Sequence, residues 1–329
     1  MPDAIDAKHG RAGFCAIVGL PNVGKSTLLN RIVGRHLVAV SAKPQTTRDR
    51  IVGIHTIELA NSESGGAPDR AQIAYVDTPG LQDGHGPLRR YMRDAAFAAA
   101  ADADVVMMIV DATDRRGRVP ARLEQDDVRG FGDASRAHPI VIALNKVDRV
   151  AKPELLPVIE AWTGFAPGVE VIPISAANGD NVDALERAVA LRLPEGPALF
   201  PEDMVTDRAP AFIAQEIIRE QLYHQLGKEL PYACAVQIET WTERSVGAGR
   251  RELAVGAMII VERDSQKPIV VGKAGSRIRE LGIAARQALA EALGYDAVHL
   301  SLFVKVLAEW SRGEIELRRL GYGSGGGAS

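Results

Sequence analysis

A glycine-rich stretch near the start of the chain has residue types and a spacing suited to binding phosphate. Residues 19–26 read GLPNVGKS and follow the apolar run at residues 14–18. The pattern G-x-x-x-x-G-K-S between a strand and a helix is that of a phosphate-binding loop. Its glycines let backbone N–H groups turn toward phosphate oxygens, and the helix that begins near Lys25 adds the positive end of its dipole. The sequence therefore predicts a site for a nucleotide polyphosphate.

Two side chains at the end of this loop supply the charge and the metal ligand that such a site needs. We expect the ammonium of Lys25 to reach the β- and γ-phosphates, and the hydroxyl of Ser26 to ligate Mg²⁺, which prefers oxygen. A glycine-containing turn without a ligand is the alternative, and the position between strand and helix argues against it. The residues predicted to contact the phosphates are Gly19, Pro21, Asn22, Val23, Gly24, Lys25, Ser26 and Thr27.

A second motif, Asn145-Lys146-Val147-Asp148, follows the apolar run at residues 140–144 and predicts which base is bound. Guanine presents two N–H donors along one edge, and a carboxylate accepts both in a charge-assisted pair. We assign that role to Asp148, because adenine would leave the carboxylate unpaired. Asn145 is expected to hold the loop and touch the base, and the stem of Lys146 to stack on the ring. An ordinary loop after a strand is the alternative.

A third motif, DTPG at residues 77–80, ends the apolar run at residues 73–76. Asp77 lies where a carboxylate can hold Mg²⁺ through water, and we expect the backbone N–H of Gly80 to contact the γ-phosphate. Loss of that phosphate would free the polar segment behind it, as in an order–disorder switch. The residues assigned to this part of the site are Asp77, Thr78, Pro79, Gly80 and Leu81.

A loop between these motifs, QTTR at residues 45–48, offers a further metal ligand. We expect a threonine hydroxyl to enter the Mg²⁺ shell when GTP is bound, and we favour Thr47 over Thr46. Catalysis is therefore assigned to Lys25, Thr47 and Gly80. Metal binding is assigned to Ser26, Thr47 and Asp77.

A fifth segment, Ser175-Ala176-Ala177, follows the apolar run at residues 169–174. Its composition alone is weak evidence, but its order after the other four motifs assigns it to the base. We expect the backbone N–H of Ala176 to donate to guanine O6.

The C-terminal third contains a different loop, VVGKAGSRI at residues 270–278. Two glycines in a G-x-x-G turn let the backbone press against a nucleic-acid backbone, which is the clamp of KH domains. Residues 263–286 hold six basic and two acidic side chains, a net charge of +4 in a chain of net charge −3. A local basic patch on an acidic chain is typical of a selective RNA surface. The predicted RNA contacts are Gly272, Lys273, Ala274, Gly275, Arg277 and Arg279.

Apolar periodicity predicts the elements that position these motifs. Continuous apolar runs are typical of strands buried on both faces, and helical patterns separate them, which predicts a doubly wound α/β domain over residues 12–193. Residues 50–59 are expected to pair antiparallel with residues 73–77 at the sheet edge, with residues 61–70 as their turn. The predicted strands are at residues 14–18, 73–76, 105–110, 140–144 and 169–174, and the helices at residues 25–32, 88–101, 123–131 and 182–193.

A second, smaller domain follows a segment rich in Pro and Gly at residues 194–210, which we predict to be a linker. Beyond it, residues 211–320 predict an α+β domain of the type II KH arrangement, in which the final strand follows the helices. Residues 1–11 and 321–329 are predicted to be disordered. The predicted elements are helices at residues 211–226, 275–281 and 283–293, strands at residues 233–240, 253–261 and 299–306, and a strand before the G-x-x-G loop.

Composition bounds the remaining possibilities. The length of 329 residues suggests roughly two domains. Cys15 and Cys234 lie far apart in apolar runs, which is typical of reduced, buried thiols in a cytosolic protein, and the histidines show no zinc-ligand spacing. The first residues have no signal-peptide pattern, and no apolar run approaches the roughly 20 residues of a membrane helix. We therefore expect a cytoplasmic monomer without structural zinc.

Together these motifs resemble the Era-like family of translation-factor-class GTPases, which carry a C-terminal type II KH domain. The resemblance spans nearly the whole chain, and it includes FPED and TDR within residues 200–208, the strand at residues 299–306 and LRRLGY at residues 317–322. It implies binding of GTP and GDP with Mg²⁺ and hydrolysis of GTP. It further implies binding of small-subunit ribosomal RNA near its 3′ end, assembly of the small ribosomal subunit and peripheral association with the inner membrane. The sequence itself offers no strongly amphipathic basic helix for the membrane.

The residue after D-x-x-G departs from many GTPases, in which a glutamine positions the attacking water. Here Leu81 stands in that place, and an apolar side chain cannot orient water, so intrinsic hydrolysis is expected to be slow or to use another group. By resemblance to bacterial relatives with the same replacement, Asn22 would help to hold K⁺. Hydrogen bonding within the loop is the alternative for Asn22.

Two other functions fit part of the sequence. A regulatory GTPase would use its second domain to bind a protein or a membrane surface, and the +4 segment with its G-x-x-G loop argues against it. A kinase or ATPase would use the phosphate loop for transfer from ATP, and Asp148 argues against it.

Overall fold

The computed structural model describes residues 10–41, 43, 48–59, 70–80, 87–113, 138–165, 169–227, 230–247, 249–320 and 322. The chain forms two compact units. The first comprises Met1–Gly34, Thr47–Asp83 and Met92–Asp207, and the second comprises Arg35–Thr46, Gly84–Tyr91 and Arg208–Ser329. None of the helices in the described ranges is long and apolar enough to cross a membrane. Several predicted features lie outside the described residues. They are the turn at residues 61–70 except for Arg70, the helix at residues 123–131, and the site residues Thr46, Thr47 and Leu81.

The first unit is built on a six-stranded sheet, in the order β2-β3-β1-β4-β5-β6. All neighbours are parallel except the edge strand β2, which runs antiparallel to β3 as predicted. The strands are β1 (Gly10–Val18), β2 (Ile51–Glu58), β3 (Arg70–Asp77), β4 (Val105–Asp111), β5 (Ile140–Asn145) and β6 (Glu170–Pro173). The helices are α1 (Lys25–Val33), α2 (Pro87–Ala101), which enters this unit at Met92, α3 (Lys152–Phe165) and α4 (Val182–Ala190).

The central strands are buried along most of their length, which is why their sequences are continuous apolar runs rather than alternating ones. In β3, every residue after Arg70 is buried. Both cysteines are also buried, Cys15 in β1 of this unit and Cys234 in the second unit. Because β1, β3, β5 and β6 are parallel, the loops that follow their carboxyl ends emerge at the same edge of the sheet.

Helix α3 is absent from the sequence-based prediction because two prolines fall within it. Pro157 lies inside the helix, where a proline costs about 3 kcal/mol. Burial of Trp162 offsets this cost. Its side chain is 1% exposed and packs in a cluster with Leu144 and Ile142. Each large apolar side chain that is fully buried contributes about 1.5–3 kcal/mol. Several side chains of α3 join this cluster, so tertiary packing outweighs the local preference.

The segment that we predict to be a linker is packed against the first unit up to Asp207. The side-chain amide of Gln72 in β3 donates to the carbonyl of Phe200 at 2.9 Å and accepts from its N–H at 2.9 Å. The ring of Phe200 contacts Phe14 edge to face, with centroids 6.1 Å apart. The Thr206 hydroxyl donates to the carbonyl of Val52 at 2.7 Å. This segment is therefore part of the first unit rather than a loose spacer.

The second unit has a three-stranded sheet in the order β7-β8-β9, with β7 and β8 antiparallel and β8 and β9 parallel. Its order of elements, a helix, two strands, two helices and a strand, is the type II KH arrangement predicted from the sequence. The elements are α5 (Pro210–Gln225), β7 (Cys234–Val246), β8 (Arg250–Val261), α6 (Lys267–Val271), α7 (Ser276–Leu293), β9 (Ala297–Val306) and α8 (Glu314–Arg319).

Two predictions for the second unit are wrong. The stretch before the G-x-x-G loop is the short helix α6 rather than a strand, because Pro268 starts a helix and the β-branched Val270 is buried within the unit. The predicted helix pair is one continuous helix, α7, which runs through Gly282. A mid-helix glycine costs about 1 kcal/mol relative to alanine. Burial of Leu281 and Leu289 along one face of α7 offsets that cost.

Candidate nucleotide site and G-x-x-G loop

The backbone of the phosphate loop requires its two motif glycines. Gly19 has φ +151°, and a Cβ there would lie 2.5 Å from the carbonyl oxygen of Ile109. Gly24 has φ +106°, and a Cβ there would lie 2.2 Å from Nδ2 of Asn145. Both positions combine a left-handed backbone with a contact too close for any side chain. The loop therefore forms a narrow cradle of backbone groups, as a polyphosphate site needs.

Gly80 of the DTPG motif lies against the phosphate loop. A Cβ at Gly80 would be 3.0 Å from Cα of Pro21, which is tighter than almost any real contact. The loop after β3 is anchored by the hydroxyl of Thr78, which donates to the carbonyl of Ile17 at 2.8 Å. The structure thus brings together the two segments predicted to hold the β- and γ-phosphates.

Lys25 is buried at the start of α1. Its ammonium donates to the carbonyl oxygens of Gly19 at 3.1 Å and Leu20 at 3.0 Å. Burial lowers the pKa of Lys25 to about 8, and the charge of Asp77 works in the opposite direction. A buried cation that bonds to neutral carbonyls is suited to an anionic ligand, because phosphate oxygens would compensate its charge better than carbonyls do.

Ser26 and Asp77 form an oxygen pair beside this ammonium. The Ser26 hydroxyl donates to Oδ2 of Asp77 at 2.9 Å, and Asp77 is fully buried. A hydroxyl and a carboxylate in contact are hard oxygen donors of the kind that Mg²⁺ prefers. These residues fit the predicted metal site. The threonine predicted to complete it lies outside the described residues.

Asn145 joins three loops of the site. Its Nδ2 donates to the carbonyl of Val23 in the phosphate loop at 2.7 Å, and its Oδ1 accepts the N–H of Ala176 at 2.9 Å. Its role in holding the loops is thus visible in the hydrogen bonds. Because the N–H of Ala176 is donated to Asn145 here, its donation to guanine O6 stays a prediction.

Asp148 is oriented by Ser175, whose hydroxyl donates to Oδ1 of the carboxylate at 2.7 Å. The same hydroxyl accepts the N–H of Asn178 at 3.2 Å, which fixes its position. The loop after β6 therefore sets the direction of the carboxylate that is predicted to read guanine.

Asp111 is a site residue that our sequence reasoning missed. Nζ of Lys146 donates to Oδ2 of Asp111 and to the carbonyl of Asn22, both at 2.6 Å. Oδ1 of Asp111 accepts the N–H and the hydroxyl of Thr113 at 2.9 and 2.7 Å. Partial burial opposes ionisation, yet hydrogen bonds from Lys146 and Thr113 leave the pKa of Asp111 below its usual value. The signal available in the sequence is an acidic residue directly after the apolar run at residues 105–110.

In the G-x-x-G loop of the second unit, both glycines adopt positive φ angles, which glycine tolerates better than other residues. Gly272 has φ +77° and Gly275 has φ +76°. A Cβ at Gly272 would lie 2.7 Å from Cβ of Arg277, so the close approach also requires glycine there. Arg277 closes the loop by donating to the carbonyl of Ile269 at 2.6 Å. Lys273, between the glycines, is exposed.

The predicted RNA residues therefore divide into two groups. Gly272, Gly275 and Arg277 shape the loop, whereas Lys273 and Ala274 are exposed on the loop and Arg279 is exposed in α7. The exposed group is the one available to a nucleic-acid backbone.

Comparisons with protein families match both units. Residues 14–146 match the family described as "50S ribosome-binding GTPase", and residues 229–311 match the KH domain. The chain is 45% identical to the GTPase Era of Pseudomonas aeruginosa (strain UCBPP-PA14) over 326 residues, which is 98% of each protein. It is 41% identical to the GTPase Era of Geobacter metallireducens, covering 95% of this chain and 98% of that protein.

Solved structures of similar proteins resemble the whole chain. An Era variant from Aquifex aeolicus bound to GDP and aluminium fluoride superposes with a TM-score of 0.82 at 36% identity, covering 95% of this chain and 99% of that one. An Era complex with MgGDPNP and nucleotides 1506–1542 of 16S ribosomal RNA has a TM-score of 0.81 at the same identity and coverage. Both similarities include the nucleotide site and the KH unit.

We expect the affinity for GDP to depend on pH through Lys25. Phosphate anions raise the pKa of this ammonium in the complex, so above about pH 8 the free protein must take up a proton to bind. Affinity should be constant from pH 7 to 8 and then fall, by at most about tenfold per pH unit. Binding of a fluorescent GDP derivative at constant ionic strength measures this.

The matched control is Lys25→Arg, because a guanidinium stays protonated throughout this range. This variant is expected to bind more weakly but without the decline above pH 8. An equal decline in both proteins would show that another group, such as the guanine N1–H, is responsible.

Asp111→Ala is expected to weaken GDP binding about five- to tenfold, because Lys146 loses a charge-assisted hydrogen bond that holds its stem in place. The effect should disappear in a Lys146→Met background, which a double-mutant cycle of dissociation constants would measure. An equal loss of GDP affinity in both backgrounds would contradict this role and assign the effect to the hydrogen bonds between Asp111 and Thr113.

Proposed function

The chain belongs to the Era family of GTPases, and from this premise we propose that it is a GTP-hydrolysing switch that binds small-subunit ribosomal RNA near its 3′ end. The observation that carries the proposal is the likeness, over nearly the full chain, to an Era protein bound at once to MgGDPNP and to 16S ribosomal RNA nucleotides. Two features of this chain support it. One is the nucleotide site around Lys25 and Asn145, and the other is the exposed Lys273 in a G-x-x-G loop.

We assign nucleotide binding to the residues that line the cradle. Backbone N–H groups of residues 19–27 and the ammonium of Lys25 would hold the β- and γ-phosphates. Asp148, oriented by Ser175, would accept the two N–H donors of guanine, and Lys146 would lie over the ring, held by Asp111. Ser26, Asp77 and Thr47 would hold Mg²⁺, which neutralises charge on the phosphates when bound.

Hydrolysis by this site relies on positioning and charge rather than on a side-chain acid or base. We assign the γ-phosphate contact to the N–H of Gly80, which the loop places beside Pro21. Leu81 carries no group that can orient water. We therefore assign part of the transition-state charge to K⁺ held with the help of Asn22, whose backbone is left-handed at φ +62°.

The RNA-binding role is assigned to the second unit. Its G-x-x-G turn would grip about four nucleotides, a number typical of KH domains. Lys273 and Arg279 would pair with phosphates, and the loop shape fixed by Gly272 and Arg277 would set their position. Residues 263–286 carry the net charge of +4 that such contacts need.

The wider role that we propose is assembly of the small ribosomal subunit, by a cytoplasmic monomer with peripheral association at the inner membrane. These parts rest on the family resemblance alone. We propose residues 12–193 as the GTPase domain and residues 211–320 as the KH domain. The junction at residues 194–210 is packed on the first unit for most of its length.

GTP hydrolysis is expected to be faster in K⁺ than in Na⁺ buffer, because only the larger ion suits the role that we assign to Asn22. Phosphate release at equal ionic strength measures this difference. Asn22→Ala should remove the difference between the two salts. Equal rates of the parent protein in both salts would exclude the K⁺ site.

RNA binding is expected to be tightest with a non-hydrolysable GTP analogue and weaker with GDP. In Lys273→Glu the affinity for RNA should fall by about tenfold or more. The reversed charge removes one phosphate contact and repels its neighbours, and it should lower the salt slope by about 1. Fluorescence anisotropy with a labelled fragment from the 3′ end of small-subunit ribosomal RNA, at fixed salt, measures both effects.

The control is Lys152→Glu, the same charge change at an exposed position on α3 of the first unit. It should bind RNA like the parent protein. RNA affinity that is equal in all nucleotide states would support the RNA-binding role of the second unit but contradict the proposed nucleotide switch. An absence of binding in every nucleotide state would favour a protein partner instead.

A further inference from the structure

An arginine near the end of α1 contacts the loop after β6, which the sequence assigns to the base. Nε of Arg31 donates to the carbonyl oxygen of Ala176 at 3.4 Å, and Nη2 donates to the carbonyl oxygen of Ala177. The stem of the same side chain lies beside Gly179, where a Cβ would be 3.7 Å from Cδ of Arg31. One side chain of α1 therefore contacts this loop at three positions and bonds to two successive carbonyl groups.

The rest of the loop is closed by backbone hydrogen bonds of its own. The N–H of Gly179 donates to the carbonyl of Ser175 at 2.8 Å, and the N–H of Ser175 donates to the carbonyl of Asp180 at 3.0 Å. The two carbonyls that Arg31 holds take no part in these bonds. The guanidinium therefore orients a side of the loop that its internal hydrogen bonds leave to other donors.

The direction of a carbonyl fixes the direction of the N–H in the same peptide unit, because the two groups of a trans peptide point to opposite sides. The carbonyl of Ala176 is held by Arg31, so the N–H of Ala177 in the same peptide unit points away from α1. The N–H of Ala176 is directed at Oδ1 of the buried Asn145, at 2.9 Å. Arg31 therefore keeps carbonyl oxygens of the loop on the side of α1 and leaves its N–H groups on the other side.

The helix that carries Arg31 also carries residues of the phosphate site. Lys25 and Ser26 are the first two residues of α1, and the rise along the helix from Lys25 to Arg31 is about 9 Å. Leu28 and Leu29 of the same helix are fully buried, which holds α1 in the first unit. One helix thus contacts the phosphate-binding loop at one end and the base loop at the other.

The energy of the contact argues for a role in orientation rather than in folding. Arg31 is exposed, and water can replace an exposed hydrogen bond at little cost in stability. The orientation of the loop has a larger consequence, because a loop carbonyl turned toward C6 of the base would face guanine O6, and two acceptors repel one another.

We propose that Arg31 is a positioning residue for base recognition: it holds the carbonyls of Ala176 and Ala177 toward α1, so that an N–H of the loop meets guanine O6. This inference rests on the proposed function and names a residue that sets its base specificity. An N–H at this edge favours an oxygen at C6, as in guanine, over the amino group of adenine. The C6 edge is then recognised separately from the N1 and N2 donors, which are assigned to Asp148.

The test compares GDP with two analogues that each change one edge of the base. In 6-thio-GDP, sulfur replaces O6 as a weaker acceptor, whereas the N1–H and the 2-amino group remain. IDP lacks the 2-amino group and keeps O6. Displacement of a fluorescent GDP derivative from the full chain, at neutral pH with Mg²⁺, measures the three dissociation constants.

The parent protein should bind GDP about fivefold more tightly than 6-thio-GDP, the difference expected for one hydrogen bond. Arg31→Met, which removes the guanidinium and keeps an apolar stem, should weaken GDP binding about threefold to fivefold and bring that ratio close to one. The ratio of GDP to IDP should not change, because Asp148 is oriented by Ser175. An equal loss of affinity for all three nucleotides would show a purely structural role and overturn the proposal.

Arg31→Lys provides the rescue, because an ammonium can also donate to these carbonyls, and it should restore most of the preference for GDP over 6-thio-GDP. The matched control is Arg187→Met, at an exposed arginine of α4 in the same unit, and it should behave like the parent protein.

Two results with the parent protein separate this inference from the proposed function. Equal affinities for GDP and 6-thio-GDP would show that no N–H meets O6, which would overturn the role of Arg31 while GDP binding stands. Failure to bind GDP at all would overturn the proposed function, and this inference with it.

Discussion

The nucleotide site depends on one buried side chain, the amide of Asn145. It holds the phosphate loop through the carbonyl of Val23 and the loop after β6 through the N–H of Ala176, and it leaves Gly24 no room for a Cβ. Its two ends therefore tie together loops that follow three different strands. A primary amide is suited to this position, because it donates and accepts at once without a charge that burial would penalise. The loops predicted to bind the phosphates and the base are therefore positioned together by this one side chain, not independently of one another.

The buried charges of Lys25 and Asp77 are tolerated because the parallel sheet holds their hydrogen-bond partners in place. Lys25 bonds to two carbonyls of its own loop, and Asp77 receives the hydroxyl of Ser26. Each would be costly alone in a dry environment. The apolar strands behind them supply the rigidity that keeps the partners in place. Burial lowers the pKa of Lys25 to about 8, and a phosphate anion beside the ammonium would favour its charged form.

The sequence predicted the elements whose patterns are set by burial, and it failed where tertiary contacts decide. The continuous apolar runs predicted the strands of the first sheet, because burial on both faces leaves that signature. Helix α3 was missed because Pro157 opposes it locally, and the burial of Trp162 together with other side chains of α3 outweighs that cost. Helix α6 was taken for a strand because residues 269–271 are β-branched, although Pro268 in its first turn favours the start of a helix. Asp111 could not be assigned from spacing, because its partner Lys146 is 35 positions away, directly after the neighbouring strand β5.

The two units are connected at several points along the chain. The chain passes from one unit to the other at five places, after Gly34, Thr46, Asp83, Tyr91 and Asp207. The segment before the last of these is bonded to β2 and β3, and α5 begins at Pro210. The other four enclose residues 35–46 and 84–91, which adjoin the two loops that the sequence assigns to sensing the γ-phosphate. In sequence, each of these two loops is therefore continuous with a segment of the second unit.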